Sequence, residues 1–369
     1  MEKEDYMRRA IMLAKSAEGK TSPNPMVGCV IVKNGKIISE ACHEKYGEFH
    51  AERNALTRCL EDCEGADLYV TLEPCCHFGK TPPCTEIIIN KKIARVFVGS
   101  LDVNPLVSGK GVEILRNHGL YVETGILEKE CRKLNEVFYH FMKEKKPFVA
   151  MKYAMTLDGK IACESGDSKW VTGSAAREYV QVLRNRYTGI MVGINTVLTD
   201  NPMLNCRMEG GKNPTRIVCD SKLLIPYDCN LVKTAKEIPT IVACTKENLR
   251  KNKNKEEQLS RLGVEVIGIS ENSQQRIDIK ELLSVLGARN IDSVLLEGGG
   301  TLNSTFLAEH QVHKVYAFLA PKLIGGALAK SPIEGKGCHK MSQALLLTDL
   351  SIETFGDDLC VIGTPKKEE

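Results

Sequence analysis

The sequence lacks any run of about eighteen continuous apolar residues, the length that a helix needs to cross a bilayer. Its opening residues, Met1 to Asp5, include three acids, and targeting segments are poor in acids. The net charge is only +3 and Lys and Arg are dispersed, so no basic stripe indicates nucleic-acid binding. We therefore expect a cytoplasmic protein with no membrane or nucleic-acid partner.

Internal repeats and low-complexity segments are also missing, and tryptophan occurs once. Cysteine, in contrast, is abundant, with fifteen residues that lack the spacing of a disulfide-bonded module. We expect reduced thiols that are mostly buried as small hydrophobic side chains, such as Cys29, Cys219 and Cys244 in strand-like runs. The length of 369 residues suffices for two domains with a core in each.

Three short motifs contain ligands for a metal ion: His50-Ala51-Glu52, Glu73-Pro74-Cys75-Cys76-His77 and Pro82-Pro83-Cys84. One imidazole and two thiolates suit zinc, and three protein ligands leave a fourth tetrahedral position for water. Zinc lowers the pKa of such a water to about 7, while a carboxylate that is not a ligand can move protons. The motifs therefore predict a catalytic zinc held by His50, Cys75 and Cys84, with Glu52 as the catalytic acid/base. The alternatives are a structural zinc with Cys76 or His77 as its fourth ligand, and a buried cysteine cluster.

The local sequence supports convergence of these ligands. Alanine and leucine after His50 predict a helix that opens near it, and residues 66–72 have the apolar pattern of a buried strand. Pro83 suits the first position of a helix, which would place Cys84 in the first turn, where the helix dipole favours its thiolate. The ligands would then meet at helix starts.

His-x-Glu followed by Pro-Cys is typical of zinc-dependent nucleobase deaminases. Further stretches are more specific: Ser22-Pro23-Asn24-Pro25-Met26-Val27-Gly28, Glu73 to Cys84, and Asp102-Val103-Asn104-Pro105. By these stretches the first 145 or so residues resemble the deaminase domain of the bifunctional riboflavin-biosynthesis deaminase/reductases (RibD type), a branch of the cytidine-deaminase-like fold. Nucleoside and nucleic-acid deaminases of this fold generally have two residues between the cysteines, whereas this chain has eight.

The resemblance implies a polar pocket for a phosphorylated aminopyrimidine, because amides and carboxylates pair with ring N–H and carbonyl groups and a lysine attracts phosphate. The residues that it places in this pocket are Asn24, His43, His77, Lys80, Asp102 and Asn104. Simpler interpretations stay open for some of them. Asn24 and Asn104 precede prolines and could form turns, and Lys80 could be merely solvated.

A charged stretch at residues 143–147 follows a helical pattern over 128–142 and predicts a domain boundary. We expect a three-layer α/β/α deaminase domain at 1–146, with a hairpin at Asn34-Gly35, and a second α/β domain at 147–369. In the second domain strands alternate with helices, and Leu296-Glu297-Gly298-Gly299-Gly300-Thr301 predicts a strand, a glycine-rich turn and a helix start. Such a turn suits phosphate, although a tight structural turn is the alternative.

Residues 147–362 resemble the reductase half of the same family, which has a dihydrofolate-reductase-like fold and uses NADPH. The resemblance rests on Met155 to Ile161, Ser168-Lys169-Trp170, Gly193 to Pro202, the Glu297 turn and Leu319 to Gly326. It implies NADPH contacts at Ala154, Trp170, Thr196, Asp200, Ser221, Gly299, Gly300, Thr301, Leu302, Asn303, Ser304 and Thr305. It implies reductase substrate contacts at Ser168, Arg184, Leu204, Arg207 and Glu297, with the arginines suited to a phosphate. Core packing is the alternative for Trp170.

The sequence therefore predicts a bifunctional enzyme that binds Zn²⁺ and NADPH. By the resemblance, it deaminates 2,5-diamino-6-(ribosylamino)-4(3H)-pyrimidinone 5′-phosphate at C2 and then reduces the ribosyl group of the product to ribityl. We also expect a homo-oligomer. Two alternatives remain: a nucleoside or nucleic-acid deaminase fused to an unrelated module, and a zinc-stabilised binding module without activity, in which Glu52 would have no role.

Overall fold

The computed structural model describes residues 2–78, 82–104 and 107–366, and the chain divides into two units, Met1–Lys145 and Lys146–Glu369. Among the described residues, no helix is both long and apolar enough to cross a membrane. Lys80 lies outside the described residues.

A five-stranded mixed sheet forms the centre of the first unit. Its strands are β1 (Gly28–Lys33), β2 (Lys36–Cys42), β3 (Asp67–Leu72), β4 (Arg95–Ser100) and β5 (Tyr121–Thr124), in the order β2-β1-β3-β4-β5. β1 is antiparallel to β2 and β3, whereas β3, β4 and β5 are parallel. Asn34 and Gly35 both have positive φ, 51° and 75°, so they form the tight hairpin between β1 and β2 that was predicted.

Helices cover both faces of this sheet. They are α1 (Lys3–Lys15), α2 (Ala51–Arg58), α3 (Cys84–Asn90), α4 (Lys110–Asn117), α5 (Glu128–Leu134) and α6 (Glu136–Glu144). Alternate residues of β1 enter different cores: Ile31 packs with Leu56 of α2 and Ile88 of α3, and Val30 packs with Met7 of α1. This period of two confirms the three-layer α/β/α prediction.

The single helix predicted over 128–142 is wrong, because the chain breaks at Asn135 between α5 and α6. Asn135 is buried, and its side-chain amide donates to the main-chain oxygen of Met26 at 2.9 Å and accepts from the Met26 N–H at 2.8 Å. This pairing satisfies the Met26 main chain. It joins residues 109 positions apart in the sequence, so the helical pattern alone contains no sign of it.

The second unit has a nine-stranded sheet flanked by helices. The strands are β6 (Phe148–Thr156), β7 (Gly189–Gly193), β8 (Thr215–Cys219), β9 (Thr240–Thr245), β10 (Val264–Ile269), β11 (Ser293–Leu296), β12 (Lys314–Ala320), β13 (Leu347–Phe355) and β14 (Asp358–Pro365). The helices are α7 (Ser174–Arg186), α8 (Ile194–Asp200), α9 (Asn230–Lys233), α10 (Lys246–Lys251), α11 (Lys253–Arg261), α12 (Ile279–Ala288) and α13 (Gly300–Ala308), with a short 3₁₀ turn at Met341–Gln343.

The strand order is β10-β9-β8-β7-β11-β6-β12-β14-β13. The strands from β10 to β12 pair in parallel, whereas β14 pairs antiparallel with both β12 and β13. Separate buried clusters cover its two faces; Ile190 and Val192 of β7 lie in one and Met191 in the other. β7, β11 and β6 are neighbours, so their carboxyl ends lie together at one edge of the sheet. Open parallel sheets bind ligands at this edge.

Candidate active sites

The three predicted metal ligands come together in the first unit. His50 is the N-cap residue of α2, Cys75 follows β3, and Cys84 is the first residue of α3. The His50 Nδ1 atom lies 3.4 Å from the Cys75 Sγ and 3.6 Å from the Cys84 Sγ, and all three donor atoms lie within 4.8 Å of one another. One nitrogen and two sulfur donors at this spacing fit a tetrahedral zinc ion.

Local structure explains how the ligands converge. His50 has an extended backbone, with ψ of 164°, and its side chain makes no capping hydrogen bond to the helix that follows. Pro83 is the N-cap of α3 and not its first helical residue, because its ψ of 141° is extended. Cys84 nevertheless stands in the first turn as expected, and its N–H donates to the Cys75 sulfur at 3.3 Å. Among the described residues, Cys76 and His77 do not join the metal group.

Electrostatics in this group favour negative charge on sulfur. The hydrogen bond from the Cys84 thiol, assisted by His50 and the Cys84 N–H, lowers the pKa of Cys75 in spite of burial. The same contact raises the pKa of Cys84. The shared contact thus favours the thiolate on Cys75, and a divalent cation between the two sulfurs would favour the ionisation of both.

Glu52 lies beside the metal group without belonging to it. Its carboxyl group is 3% exposed and lies within hydrogen-bonding reach of the Cys84 thiol. Burial raises the pKa of Glu52 to about 7, and the neighbouring His50 opposes this change. A buried carboxyl group that exchanges a proton near neutral pH is suited to acid–base catalysis.

A cavity of about 260 Å³ opens onto this group. His50, Glu52 and Cys75 line it together with five of the six predicted pocket residues, Asn24, His43, His77, Asp102 and Asn104. The sixth, Lys80, lies outside the described residues. The turn interpretation also applies to Asn104, whose N–H donates to the Asp102 carboxylate at 2.8 Å. The cavity wall thus has amides, imidazoles and a carboxylate facing the metal group.

His43 and Asn24 form a hydrogen-bonded pair in this wall. The His43 Nδ1 atom lies 3.0 Å from the main-chain oxygen of Phe49, and its Nε2 atom lies 3.2 Å from the Asn24 side-chain nitrogen. The carbonyl oxygen requires a proton on Nδ1, so Nε2 accepts a hydrogen bond from Asn24. Burial lowers the pKa of His43, which favours the same neutral form. The oxygen of the Asn24 amide is thereby oriented as an acceptor.

Sequence reasoning assigned no role to Glu73, which also lines the cavity. Its carboxylate is 3% exposed and accepts hydrogen bonds from the main-chain N–H groups of Asp102, Gly109 and Val112 at 3.2, 2.9 and 3.2 Å. A glutamate before Pro-Cys was the only signal in the sequence, and it indicates neither the burial of Glu73 nor its partners.

Two predicted substrate residues of the second unit form a buried ion pair. The Arg184 Nε and Nη2 atoms donate to the two carboxylate oxygens of Glu297 at 2.9 and 3.0 Å, and both side chains are 13% exposed. Burial by itself would raise the pKa of Glu297, but Arg184 and Lys152 hold it at about 2. Arg184 thus donates hydrogen bonds to Glu297, and its Nη1 atom donates to the main-chain oxygen of Asn205.

Lys152 on β6 was missed by the sequence analysis. Burial lowers its pKa, while the Glu297 carboxylate opposes the change. Nothing in the sequence sets this lysine apart within its strand, and only the neighbouring strand β11 brings Glu297 to it. Two cations and one carboxylate therefore meet where the carboxyl end of β11 lies beside the middle of β6.

The glycine turn after Glu297 leads into α13 as predicted. A Cβ atom at Gly299 would meet nothing within 4 Å, which leaves room for a ligand to approach the main chain. At Gly300 a Cβ would lie 2.5 Å from Glu334, and the Glu334 carboxylate accepts a hydrogen bond from Thr301 at 3.0 Å. The Glu334 side chain therefore already fills part of the space at the start of α13.

The remaining predicted cofactor residues differ in exposure. Leu302, Ser304 and Thr305 of α13, together with Ala154, Thr196 and Ser221, are partly exposed, and Asp200 is exposed. Asn303 is fully buried and its amide donates to the Pro332 oxygen at 2.9 Å, so its side chain supports the turn instead of facing a ligand.

Trp170 is 63% exposed, which excludes core packing as the role of the only tryptophan. The Arg177 guanidinium lies 4.7 Å from the centre of its ring, and Lys322 donates to its main-chain oxygen at 2.7 Å. Arg177 thus contacts the exposed indole ring, and Lys322 holds the main chain of the same residue.

The other predicted reductase substrate residues are Ser168, Leu204 and Arg207. Ser168 is partly exposed and Arg207 is exposed. The Leu204 side chain is only 3% exposed and packs in the hydrophobic core, so only its main chain is placed to contact a ligand.

The first unit thus has the fold and the ligand set of a zinc-dependent deaminase, and the second is a separate α/β domain with a candidate nucleotide site. Residues 1–100 match the family described as the cytidine and deoxycytidylate deaminase zinc-binding region. Residues 147–361 match the RibD C-terminal domain. The class of protein is therefore a two-domain deaminase/reductase, and the alternative of an unrelated second module is excluded.

Similar proteins identify the family. The riboflavin biosynthesis protein RibD of Actinobacillus pleuropneumoniae is 53% identical, over 96% of this chain and 93% of that protein. The structure of Acinetobacter baumannii RibD is 36% identical, with a TM-score of 0.87 and 99% of both chains covered. That of a deaminase/reductase from Thermotoga maritima is 40% identical, with a TM-score of 0.85 and 98% of both chains covered. The chain belongs to the RibD family of bifunctional riboflavin-biosynthesis enzymes, with a zinc-binding deaminase domain and an NADPH-dependent reductase domain.

Proposed function

We propose that the enzyme deaminates 2,5-diamino-6-(ribosylamino)-4(3H)-pyrimidinone 5′-phosphate at C2 and reduces 5-amino-6-(5-phosphoribosylamino)uracil at the ribosyl group. The similar protein from Thermotoga maritima is named for these two activities. The observation that carries the proposal is the cavity in which Glu52 and the metal group face Asn24, His43, Asp102 and Asn104. These polar groups suit the ring N–H and carbonyl groups of an aminopyrimidinone.

In the deaminase domain, His50, Cys75 and Cys84 would hold the zinc ion. Bound zinc supplies a water of lowered pKa as a nucleophile at neutral pH. Glu52 accepts a proton at its carboxylate and returns it to the departing amino group, since burial holds its pKa at about 7. Asn24 and Asp102 orient the ring so that C2 faces the metal group.

In the reductase domain, NADPH supplies a hydride for C1′ of the opened ribosyl group. We assign the open side of Gly299 and the indole of Trp170 to the cofactor. Glu297, Arg184 and Lys152 bind the polar substrate, and the low pKa of Glu297 keeps it as a carboxylate that accepts hydrogen bonds from sugar hydroxyls. The chain contributes positioning, because the cofactor carries the chemistry.

We also propose a cytoplasmic homo-oligomer. All fifteen cysteines are free thiols, which suits a reducing compartment. β13 is the last strand of its sheet and exposes Leu350 (61%) and Ile352 (66%), so a second copy could pair with this edge. Light scattering on the wild type and on Ile352→Lys tests the association; equal masses for the two proteins would remove this edge as the interface.

A two-part assay tests the function. With the diaminopyrimidinone phosphate as substrate, ammonia release should precede the fall in NADPH absorbance. A zinc chelator should stop ammonia release but leave NADPH oxidation intact when the deaminated intermediate is supplied. Equal loss of both activities would indicate a structural metal and contradict the assignment of the two sites.

A further inference from the structure

The buried carboxylate of Glu73 occupies a junction between two parts of the deaminase site. It follows β3 directly, and two residues later the chain reaches the zinc ligand Cys75. Its Oε2 atom accepts from the N–H groups of Asp102 and Gly109, and its Oε1 atom accepts from Val112. Hydrogen bonds to a buried carboxylate are stronger than those between neutral groups. Glu73 therefore joins strand β3 firmly to the segment that leads into α4.

That segment contains the pyrimidine-facing residues. The first N–H bound by Glu73 is that of Asp102 itself, and the Asp102 carboxylate in turn accepts from the N–H of Asn104 at 2.8 Å. Both side chains line the cavity with Glu73. A displacement of the Glu73 carboxylate would thus move the main chain of Asp102 and, through it, that of Asn104.

The metal side of the junction is equally close-packed. The Glu73 N–H donates to the Ser100 oxygen at 3.0 Å, and a Cβ atom at Gly111 would lie 2.1 Å from the Pro74 oxygen. The start of α4 therefore lies directly against the main chain that leads to Cys75. The segment with Asp102 and Asn104 and the main chain that leads to Cys75 both meet at Glu73, so its carboxylate sets the distance between them.

We propose that Glu73 is a positioning residue for substrate binding: it holds Asp102 and Asn104 at the distance from the metal group that the aminopyrimidine requires. This inference rests on the proposed function, which assigns Asp102 and Asn104 to the substrate. Glu73 acts through main-chain groups and need not touch the substrate.

Replacing Glu73 by Gln tests the proposal, because the amide nitrogen cannot accept a hydrogen bond and faces an N–H donor. We expect KM for the diaminopyrimidinone phosphate to rise about tenfold, as for the loss of one charge-assisted hydrogen bond, with kcat changed less than about threefold. Zinc content, measured by mass spectrometry, should stay at one ion per chain, and Glu73→Asp should recover part of the lost affinity. Loss of zinc in both variants, or an unchanged KM, would overturn the proposal.

The matched control is Glu86→Gln, an exposed glutamate in the first turn of α3, two residues after Cys84. It makes the same chemical change close to a zinc ligand and should leave KM and zinc content unaltered. NADPH oxidation with the deaminated intermediate should be the same in every variant, which checks that the reductase unit is folded, while the zinc content reports on the deaminase unit.

A double-mutant cycle with Asp102→Asn separates positioning from a general structural effect. If Glu73 acts through Asp102, the two substitutions together should raise KM by less than the product of their separate effects. If Asp102→Asn raises KM by itself and the two effects simply multiply, the inference about Glu73 is overturned and the proposed function stands. If Asp102→Asn leaves KM unchanged, the substrate assignment of the proposed function fails, and the inference fails with it.

Discussion

Replacing Glu297 by Gln should destabilise the reductase unit markedly. The charges of Arg184 and Lys152 hold the pKa of Glu297 at about 2, against an ordinary value of 4.5. That difference corresponds to about 3 kcal/mol of favourable interaction at neutral pH. Gln keeps the shape of the side chain but leaves two buried cations facing a neutral amide, and breaking a buried pair in this way typically costs 3–5 kcal/mol.

The expected change is measurable by calorimetry. For a unit of this size, about 3 kcal/mol lowers Tm by roughly 6–12 °C. Only the transition of the reductase unit should move, whereas zinc release from the deaminase unit, followed with a chromogenic chelator, should occur at the same temperature as in the wild type. Glu265→Gln is the control, because its ion pair with Arg289 is exposed (51% and 38%) and should contribute less than about 1 kcal/mol.

The pH dependence gives a second check on the same interaction. The pKa of Glu297 is lowered in the folded state, so its stabilisation is complete above about pH 4.5 and is lost as the pH falls toward about 2. The difference in stability between the wild type and Glu297→Gln should therefore be constant from pH 6 to 8 and shrink in acid. Equal Tm values at pH 7, or a difference that grows on acidification, would refute the reasoning.

Three further substitutions test the site assignments. Glu52→Gln should lower kcat for deamination by roughly 10²–10⁴-fold with zinc retained, and metal loss or normal turnover would remove it from the mechanism. Gly299→Val should raise KM for NADPH, since its side chain would fill the open space at the start of α13, while deamination stays normal. Trp170 is the only tryptophan, so its emission should fall when NADPH binds through energy transfer; Trp170→Phe should abolish that signal and raise KM for NADPH. An emission unchanged by saturating NADPH would contradict the contact.

The sequence by itself predicted the features that depend on near neighbours in the chain. Short apolar runs indicated the strands, Asn34-Gly35 the hairpin, and the motifs at His50, Cys75 and Cys84 the metal group. The strand and hairpin signals are local in the sequence. The metal signal consists of residue types whose combination has few roles other than metal binding. The two-domain fold followed from such elements in order, together with the resemblance to a known family.

Only the tertiary structure decided which distant groups satisfy one another. The helix is interrupted at Asn135, whose side chain bonds Met26, and Arg184 pairs with Glu297 across 113 positions. Glu73 and Lys152 were not recognised, because a buried charge has no sequence pattern until its partners are known. Sheet order determines these partners: β11 lies beside β6, and the segment after β4 lies beside the end of β3. Buried polar groups need partners, and where those partners come from is decided by the fold.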